Sequence, residues 1–377
     1  MVSAGATERH AVIVIGGGQA GLAMSQQLTV RGVEHVVLDA AARVGDAWRN
    51  RWSTLRVFTP ARYDGLPGTP FPAPGHAFPT KDEVADYLEA YAAEWRLPVR
   101  SGVGVDALRA AADGAGFVVS AAGADLAAEQ VVVATGAYHD PFVPPLASEL
   151  DPTIRQLHSS QFRSASQLQP GGVLVVGASN SGGEIAFDVA RTHETWLAGR
   201  DTGQMPFDID GRVARVADRI IWFMANHVLT VRTPMGRAMR SQVRQHGTPL
   251  ERVRKAELAA AGVHREYVRM SGVRGGKPQL DDGRVLDVRN VIWCTGFRRD
   301  YGWVELPLLG DDGWPAQEHG VVSGVPGLYI IGLPFLDTFA SGLIGGVGRD
   351  AAYLAPRIAA RVAAQVPKTG EVPQAVS

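Results

Sequence analysis

Twice along the chain an unbroken apolar run stops at a glycine-rich turn and gives way to helical spacing. Ala11–Ile15 (AVIVI) leads into GGGQAGLAMS, and Val173–Val176 (VLVV) leads into GASNSGGEIA. A short continuous apolar run of this kind predicts a parallel strand buried on both faces. Each helix is followed by another apolar run, HVVLDA (His35–Ala40) and TWLAGR (Thr195–Arg200), which predicts the next strand. Further on, FVVSAAGADLAAEQVVVATGAY reads as strand, a turn at Gly123, strand, and a return ending at Gly136. LDDGRVLDVRNVIWCTGF repeats that plan and ends at Gly296. The pattern predicts an α/β fold of two Rossmann-like dinucleotide-binding domains, the second inserted in the first. The boundaries it suggests are 1–150 and 291–377 for the outer domain and 151–290 for the inserted one. The crossings fall at PFVPPL (141–146) and around Phe297–Tyr301.

The two turns differ in ways that bear on what each holds. Gly16, Gly18 and Gly21 have G-x-G-x-x-G spacing: the first permits the tight turn, the second lets backbone approach a pyrophosphate, and the third lets helix pack on strand. The helix that starts there, through Gln19 and Ala20, points its free N–H groups and positive dipole end at the phosphates. Asp39, followed by Ala40, ends the next strand, where an acid accepts hydrogen bonds from ribose hydroxyls. In the second turn Gly177 and Gly182 hold the outer positions and Ser179 replaces the middle glycine, followed by Asn180 and Ser181. Its hydroxyl is available for a phosphate hydrogen bond. The following strand ends in Arg200, which grips a 2′-phosphate in a charge-assisted fork. The first site therefore suits FAD and the second NADPH. Thr135–Gly136 and Thr295–Gly296 are small pairs where the returning chain passes each cofactor.

The stretch VARVADRIIWFMANHVLTV (Val213–Val231) is interrupted by Arg215, Asp218 and Arg219. It falls short of a clean apolar span of about 18 residues, so it reads as a buried or site-lining amphipathic helix and not as a stable membrane insertion. Val213–Ala261, rich in Met, Trp and Phe, is required by neither dinucleotide unit and is expected to shape substrate access. The tail from Gln365 is expected to be poorly ordered.

The composition, 46% hydrophobic and 20% charged over 377 residues, suits a core-forming protein of roughly two to three domains. The formal net charge is −1, with acids and bases interspersed and no basic stripe, which argues against nucleic acid and for small-molecule partners. The first ten residues carry no apolar signal core, so a cytoplasmic location is expected. The single cysteine, Cys294, allows no intramolecular disulfide and no cysteine-cluster metal site. It also denies the chain the cysteine pair that disulfide reductases of the same two-dinucleotide plan require. Histidines lack metal-ligand spacing, and Asp208 and Asp210 in FDIDG read as a polar turn.

Over nearly its whole length the chain resembles group B flavoprotein monooxygenases, the class of flavin-containing, YUCCA-type and Baeyer–Villiger enzymes. The matching pieces are VIVIGGGQAGLAMS, GDAWRNRWSTLRVFTPARYDGLPG, FPTKDEVADYLEAYA, VVVATGAYHDPFVP, QLHSSQF, VLVVGASNSGGEIAFDVA, VIWCTGFRRDY and GLYIIGLPFLDTFASGLIGGVGRDAAYLA. The resemblance implies that NADPH reduces FAD. Oxygen then gives a C4a-(hydro)peroxyflavin, which oxygenates a small organic substrate at nitrogen, sulfur or a carbonyl. It implies that Trp48, Arg49, Thr59 and Pro60 line the FAD, with Ser341, Gly342, Leu343 and Ile344 near the isoalloxazine, while Trp52 reads as a core aromatic. His158 is the one candidate for proton handling, with a structural role between the domains as its alternative. The family fingerprint is incomplete: His158 and Phe162 fit, but Pro152 and Ile154 stand where phenylalanine and glycine belong. The absent Baeyer–Villiger tryptophan weighs against ketone insertion. Phe58 stands in the neighbourhood where animal-type enzymes carry an asparagine. An NADPH oxidase making hydrogen peroxide and a non-catalytic redox or transport-accessory flavoprotein fit the same motifs. Substrate and oligomeric state, a homodimer included, are open at this level.

Overall fold

The computed structural model describes residues 8–209, 211–245 and 248–365. Asp210 and the tail beyond Gln365 lie outside the described residues. β1 (Glu8–Ile15) buries Val12, Ile13 and Val14 completely and turns into α1 (Gln19–Thr29). β2 (His35–Asp39) runs parallel to β1, with Leu38 opposite Ile15. The short α2 (Asp46–Arg49) packs against α3 (Lys81–Glu94). A capping box starts α3: the Glu83 amide donates to the Thr80 hydroxyl, and the Thr80 amide donates to the Glu83 carboxylate. β3 (Val99–Ser101) pairs with β2. β4 (Val105–Ala110), β5 (Phe117–Ala121) and β6 (Ala124–Val133) form an antiparallel meander, and β6 then runs parallel to β1.

The chain leaves this sheet through β7 (Asp140–Pro141) and builds a second one. Its elements are β8 (Arg155–His158), β9 (Val173–Val176), α4 (Asn180–Val189), β10 (Thr195–Ala198), α5 (Arg212–Phe223), α6 (Pro234–Gln245), α7 (Lys255–Ala260) and β11 (His264–Glu266). A hairpin of β12 (Met270–Arg274) and β13 (Lys277–Leu280) precedes β14 (Asn290–Trp293). The strand order is β11-β10-β9-β14-β8, all parallel. β15 (Phe297–Arg298) carries the chain back and pairs with β7, Phe297 opposite Pro141. β16 (Gln317–Glu318), β17 (Val321–Val322) and β18 (Leu328–Ile330) complete the first sheet beside β6, and α8 (Val347–Gln365) packs on α1. The result is an α/β fold of two Rossmann-like units, the second inserted in the first.

The region after β10 departs from a single long helix. α5 ends at Phe223 and continues as one wide turn, Met224–Val228. The chain then crosses to the first unit: the Val231 amide donates to the Asp337 carbonyl and the Phe339 amide to the Leu229 carbonyl, each at 2.9 Å. Trp222 stacks on Tyr63 with ring centres 4.7 Å apart. The α5–α6 segment thus spans from one unit to the other.

Candidate functional site

The two glycine turns superimpose in their contacts. The Gly16 amide donates to the Leu38 carbonyl at 2.7 Å, and the Gly177 amide to Ala198 at 2.8 Å. The Ala134 amide closes on Ile15, and the Cys294 amide on Val176, both at 2.8 Å. Gly16 and Gly177 have φ of 110° and 106°, which favour glycine. A methyl group at Gly21 would lie 1.8 Å from the Gly16 carbonyl oxygen, and one at Gly182 1.7 Å from that of Gly177. Each helix can therefore start where it does only because these residues have no side chain. A Cβ at Gly18, by contrast, meets no atom within 4 Å, so the space above the α1 N-terminus is open. α1 and α4 both begin with no side-chain cap hydrogen bond. Their first amides are therefore available to an anion.

The turns diverge at the strand ends that face them. Asp39 follows Leu38 and accepts the Ala41 amide at 3.2 Å; burial raises its carboxyl above the ordinary aspartate value. A Cβ at Gly17 would sit 2.6 Å from an Asp39 oxygen, so this glycine, for which the spacing argument has no role, lets the acid close on the turn. The residue equivalent to Asp39 is Gly199, next after Ala198, and Arg200 follows it, equivalent to Ala40 and exposed. The inserted unit thus has no carboxylate at this position and a guanidinium one residue later. Arg265 braces that turn from β11, donating to the carbonyls of Leu197 at 3.0 Å, Gly199 at 2.8 Å and Arg200 at 3.2 Å. No motif announces Arg265; its role exists only because β11 lies beside β10.

Segment 248–251 flanks the second turn. The Ser179 hydroxyl donates to the Thr248 carbonyl at 2.7 Å, which corrects the expectation that it serves a phosphate. Asn180 exchanges two hydrogen bonds with Glu251, side chain to carboxylate at 3.0 Å and amide to side chain at 3.3 Å. Ser181 follows on α4, half-buried. Glu184, one turn further along α4, is buried beside Trp52, and desolvation pushes its carboxyl up to about 7. Burial raises Glu251 as well, and the charge of Glu184 raises it further.

Around the first turn, the Trp48 indole donates to the Gln19 side chain at 3.2 Å, beside Ala20. A Cβ at Gly332 would meet Ala20 at 2.6 Å, so the C-terminal segment reaches the same helix start. Thr135 and Gly136 follow Ala134, whose carbonyl oxygen would lie 2.7 Å from a Cβ at Gly16. The Thr59 hydroxyl, next to Pro60 in the chain, donates to buried Asp64 at 2.5 Å, and burial pushes Asp64 up to about 7. The Tyr63 carbonyl oxygen would lie 1.5 Å from a Cβ at Gly345, which joins the Thr59–Asp64 stretch to Ser341–Ile344. Ser341 itself is buried: it accepts the amides of Asp337 and Thr338 at 3.2 and 3.0 Å and hydrogen-bonds Asp350, whose carboxyl burial raises to about 7. What Ser341–Ile344 offers the site is backbone, not the serine hydroxyl. Two neighbouring cavities of about 380 and 470 Å³ share Tyr63 and Trp222.

Two expected roles change. Arg49 donates to Val44, and its other contacts are Asp46, Asp86 and Glu89, so its charge ties α2 to α3 and is not free for a flavin. His158 is buried; its Nε2 donates to the Gly296 carbonyl at 3.0 Å while Nδ1 accepts the Ser160 amide at 3.1 Å. Its ring stands edge-on to Phe297. With both nitrogens engaged and burial lowering its pKa, His158 pins the crossing strands and has no free nitrogen for proton transfer. Thr295 likewise donates to Phe142, across the same crossing. Of the two departures from the fingerprint, Ile154 is buried in an apolar cluster of the inserted unit and Pro152 is exposed, while the matching Phe162 is core. Burial pushes the Cys294 thiol up to about 12, far from a reactive thiolate.

Residues 13–222 match the family described as pyridine nucleotide-disulphide oxidoreductase. The chain is 37% identical to an uncharacterized CzcO-like oxidoreductase of Geobacillus kaustophilus, over 91% of this chain and 96% of that one. It is 26% identical to a probable indole-3-pyruvate monooxygenase, YUCCA3, of Arabidopsis thaliana, over 88% of this chain and 84% of the relative. Among solved structures it is similar to the flavin-containing monooxygenase from Stenotrophomonas maltophilia, with a TM-score of 0.73, 26% identity, and coverage of 94% of this chain and 99% of that one. With a single cysteine, Cys294, the disulfide chemistry in the family's description has no partner thiol here. The chain belongs to the pyridine nucleotide-disulphide oxidoreductase family, as an oxidoreductase of its flavin monooxygenase branch.

Proposed function

We propose that this chain is an FAD-dependent monooxygenase that draws on NADPH and oxygen to oxygenate a small organic substrate at nitrogen, sulfur or a carbonyl. The observation that carries the reading is the contrast between the strand ends: Asp39 faces the first turn, whereas Gly199 and Arg200 face the second. An acid accepts from free ribose hydroxyls, and a guanidinium at the strand end takes a 2′-phosphate; the neighbouring acid, Asp201, is paired with Lys255 at 2.5 Å. Residues 1–150 and 291–377 are assigned to the FAD domain and 151–290 to the NADPH domain. When bound, the flavin supplies hydride acceptance and oxygen activation, and the nicotinamide supplies the hydride.

The chain's own residues bind and shield. The open α1 N-terminus at Gly18 receives the FAD pyrophosphate, and Asp39 holds the ribose. Trp48, Thr135–Gly136 and the Ser341–Ile344 backbone flank the cofactor. Gly177, Asn180, Ser181 and Gly182 form the second anion site, with Arg200 at the 2′-phosphate and Arg265 holding its turn. The crossing at 229–231 brings the α5–α6 segment over the first unit, next to Tyr63, where it limits access of water. Anaerobic reduction of the purified yellow protein by NADPH and by NADH, followed by rapid mixing with oxygenated buffer, tests the reading. Fast reduction by NADPH and a transient near-ultraviolet absorbance that decays slowly support it. Immediate reoxidation with stoichiometric peroxide supports an oxidase, and no reduction by either nucleotide refutes the assignment of the second turn.

A further inference from the structure

α5 is amphipathic with its faces reversed. The buried arc carries Ala214, Asp218 and the half-buried Trp222; Asp218 lies 3.6 Å from both Arg62 and His76, and Tyr63 donates to it at 3.4 Å. The solvent arc carries Val216, Ile220 and Phe223, which are 80%, 63% and 58% exposed, with Met224 continuing the apolar edge. At about 100° per residue these three side chains fall within about 60° of arc, and Arg215 and Arg219 flank them on one side. The net charge of the chain conceals a local excess here. The sequence from 211 to 245 has seven arginines, and Asp218, which is buried, is its one acidic residue. No helix among the described residues is long and apolar enough to cross a membrane.

We infer that the outer face of α5 docks on an anionic lipid surface, lying in the interface with Val216, Ile220 and Phe223 inserted and Arg215 and Arg219 at the headgroups. An apolar row beside basic side chains is the pattern by which a helix lies on a bilayer without spanning it. Charge selects this occupant over a second copy of the chain. A two-fold contact through this face would set the arginine flank against itself, with no exposed acid on the segment to neutralise it. Docking there would also place at the bilayer the cavity of about 470 Å³ lined by Trp222, Phe223 and His227.

Flotation of the purified flavin-loaded protein with vesicles tests the inference. Phosphatidylcholine vesicles containing phosphatidylglycerol are expected to carry the protein at least about tenfold better than phosphatidylcholine alone, and added salt is expected to release it. The double variant Val216→Glu/Ile220→Glu is expected to lose flotation while keeping wild-type flavin content. Absence of flotation, equal flotation on both vesicle types, or equal flotation of wild type and variant would each overturn the inference. A wild-type dimer that does not float and that the double variant converts to monomer would also overturn it, and would assign the face to a second copy.

Discussion

Gly18 and Gly21 lie three residues apart but are needed for different reasons, and this separates ligand effects from folding effects. A side chain at Gly21 collides with the Gly16 carbonyl whether or not a ligand is present, whereas one at Gly18 meets only the open space above α1. Gly18→Val is therefore expected to fold with an apoprotein melting temperature near that of wild type but to purify without FAD, read from the ratio of flavin to protein absorbance. Gly21→Val is expected to lose both. Full flavin content in Gly18→Val would move the cofactor elsewhere. At the second turn, Arg200→Glu is expected to weaken NADPH relative to NADH by about 10- to 100-fold, the worth of one or two charge-assisted hydrogen bonds. Equal changes for both nucleotides in steady-state kinetics would remove Arg200 from the 2′-phosphate. The residues that were legible in the sequence here are those whose reason is local spacing. Gly17, Gly199 and Arg265 were not, because each is explained by a neighbour across the turn or across a strand pair.

At the scale of elements, α3 and the α5–α6 segment show how different supports stabilise the same unit. α3 is nucleated by its capping box and holds α2 through Arg49, so Thr80→Ala is expected to cost about 1 kcal/mol, seen as a shifted denaturant midpoint. The α5–α6 segment is tied to the first unit by backbone at 229–231 and by the Tyr63–Trp222 stack. Val231→Pro removes the amide that donates to Asp337 and is expected to speed proteolytic cleavage within 211–245 while leaving cleavage elsewhere unchanged. Unaltered digestion would mean that the Phe339–Leu229 hydrogen bond and the aromatic stack hold the segment without the Val231 amide. The strands and both glycine-turn helices followed from apolar runs, because burial on both faces leaves no choice of orientation. α5 did not, because periodicity settles which side chains share a face but not which face meets the core. Here Asp218 goes inward, since Arg62, His76 and Tyr63 wait for it on a segment far away in sequence.

At the scale of the whole molecule, four carboxyls raised by desolvation, three of them buried and Glu251 half-buried, are distributed over both units and should dominate the response to pH. Asp64 and Asp350 belong to the first unit, each pushed up to about 7; Glu184 and Glu251 belong to the second, Glu184 beside Trp52 of the first. Desolvation is the largest cause in every case. Between its ordinary value and its raised native value, such a group is ionised in the unfolded chain but protonated in the folded one. The native state then binds more protons, and stability falls as pH rises through the window, by about 1.4 kcal/mol per unit for each group. His35 and His158, whose pKa values burial lowers, act in the opposite sense, since the unfolded chain protonates them first on acidification. Four carboxyls outweigh two histidines, and above about pH 7 the histidine contribution is nearly complete. The melting temperature is therefore expected to fall from about pH 6 to about pH 8.5. Glu184→Gln is expected to flatten that fall, because it removes one raised group and relieves Glu251 of its charged neighbour. A melting temperature that stays level in wild type, or a Glu184→Gln profile parallel to it, would mean that the carboxyls at the junction of the two units are solvated in solution and that the units separate there.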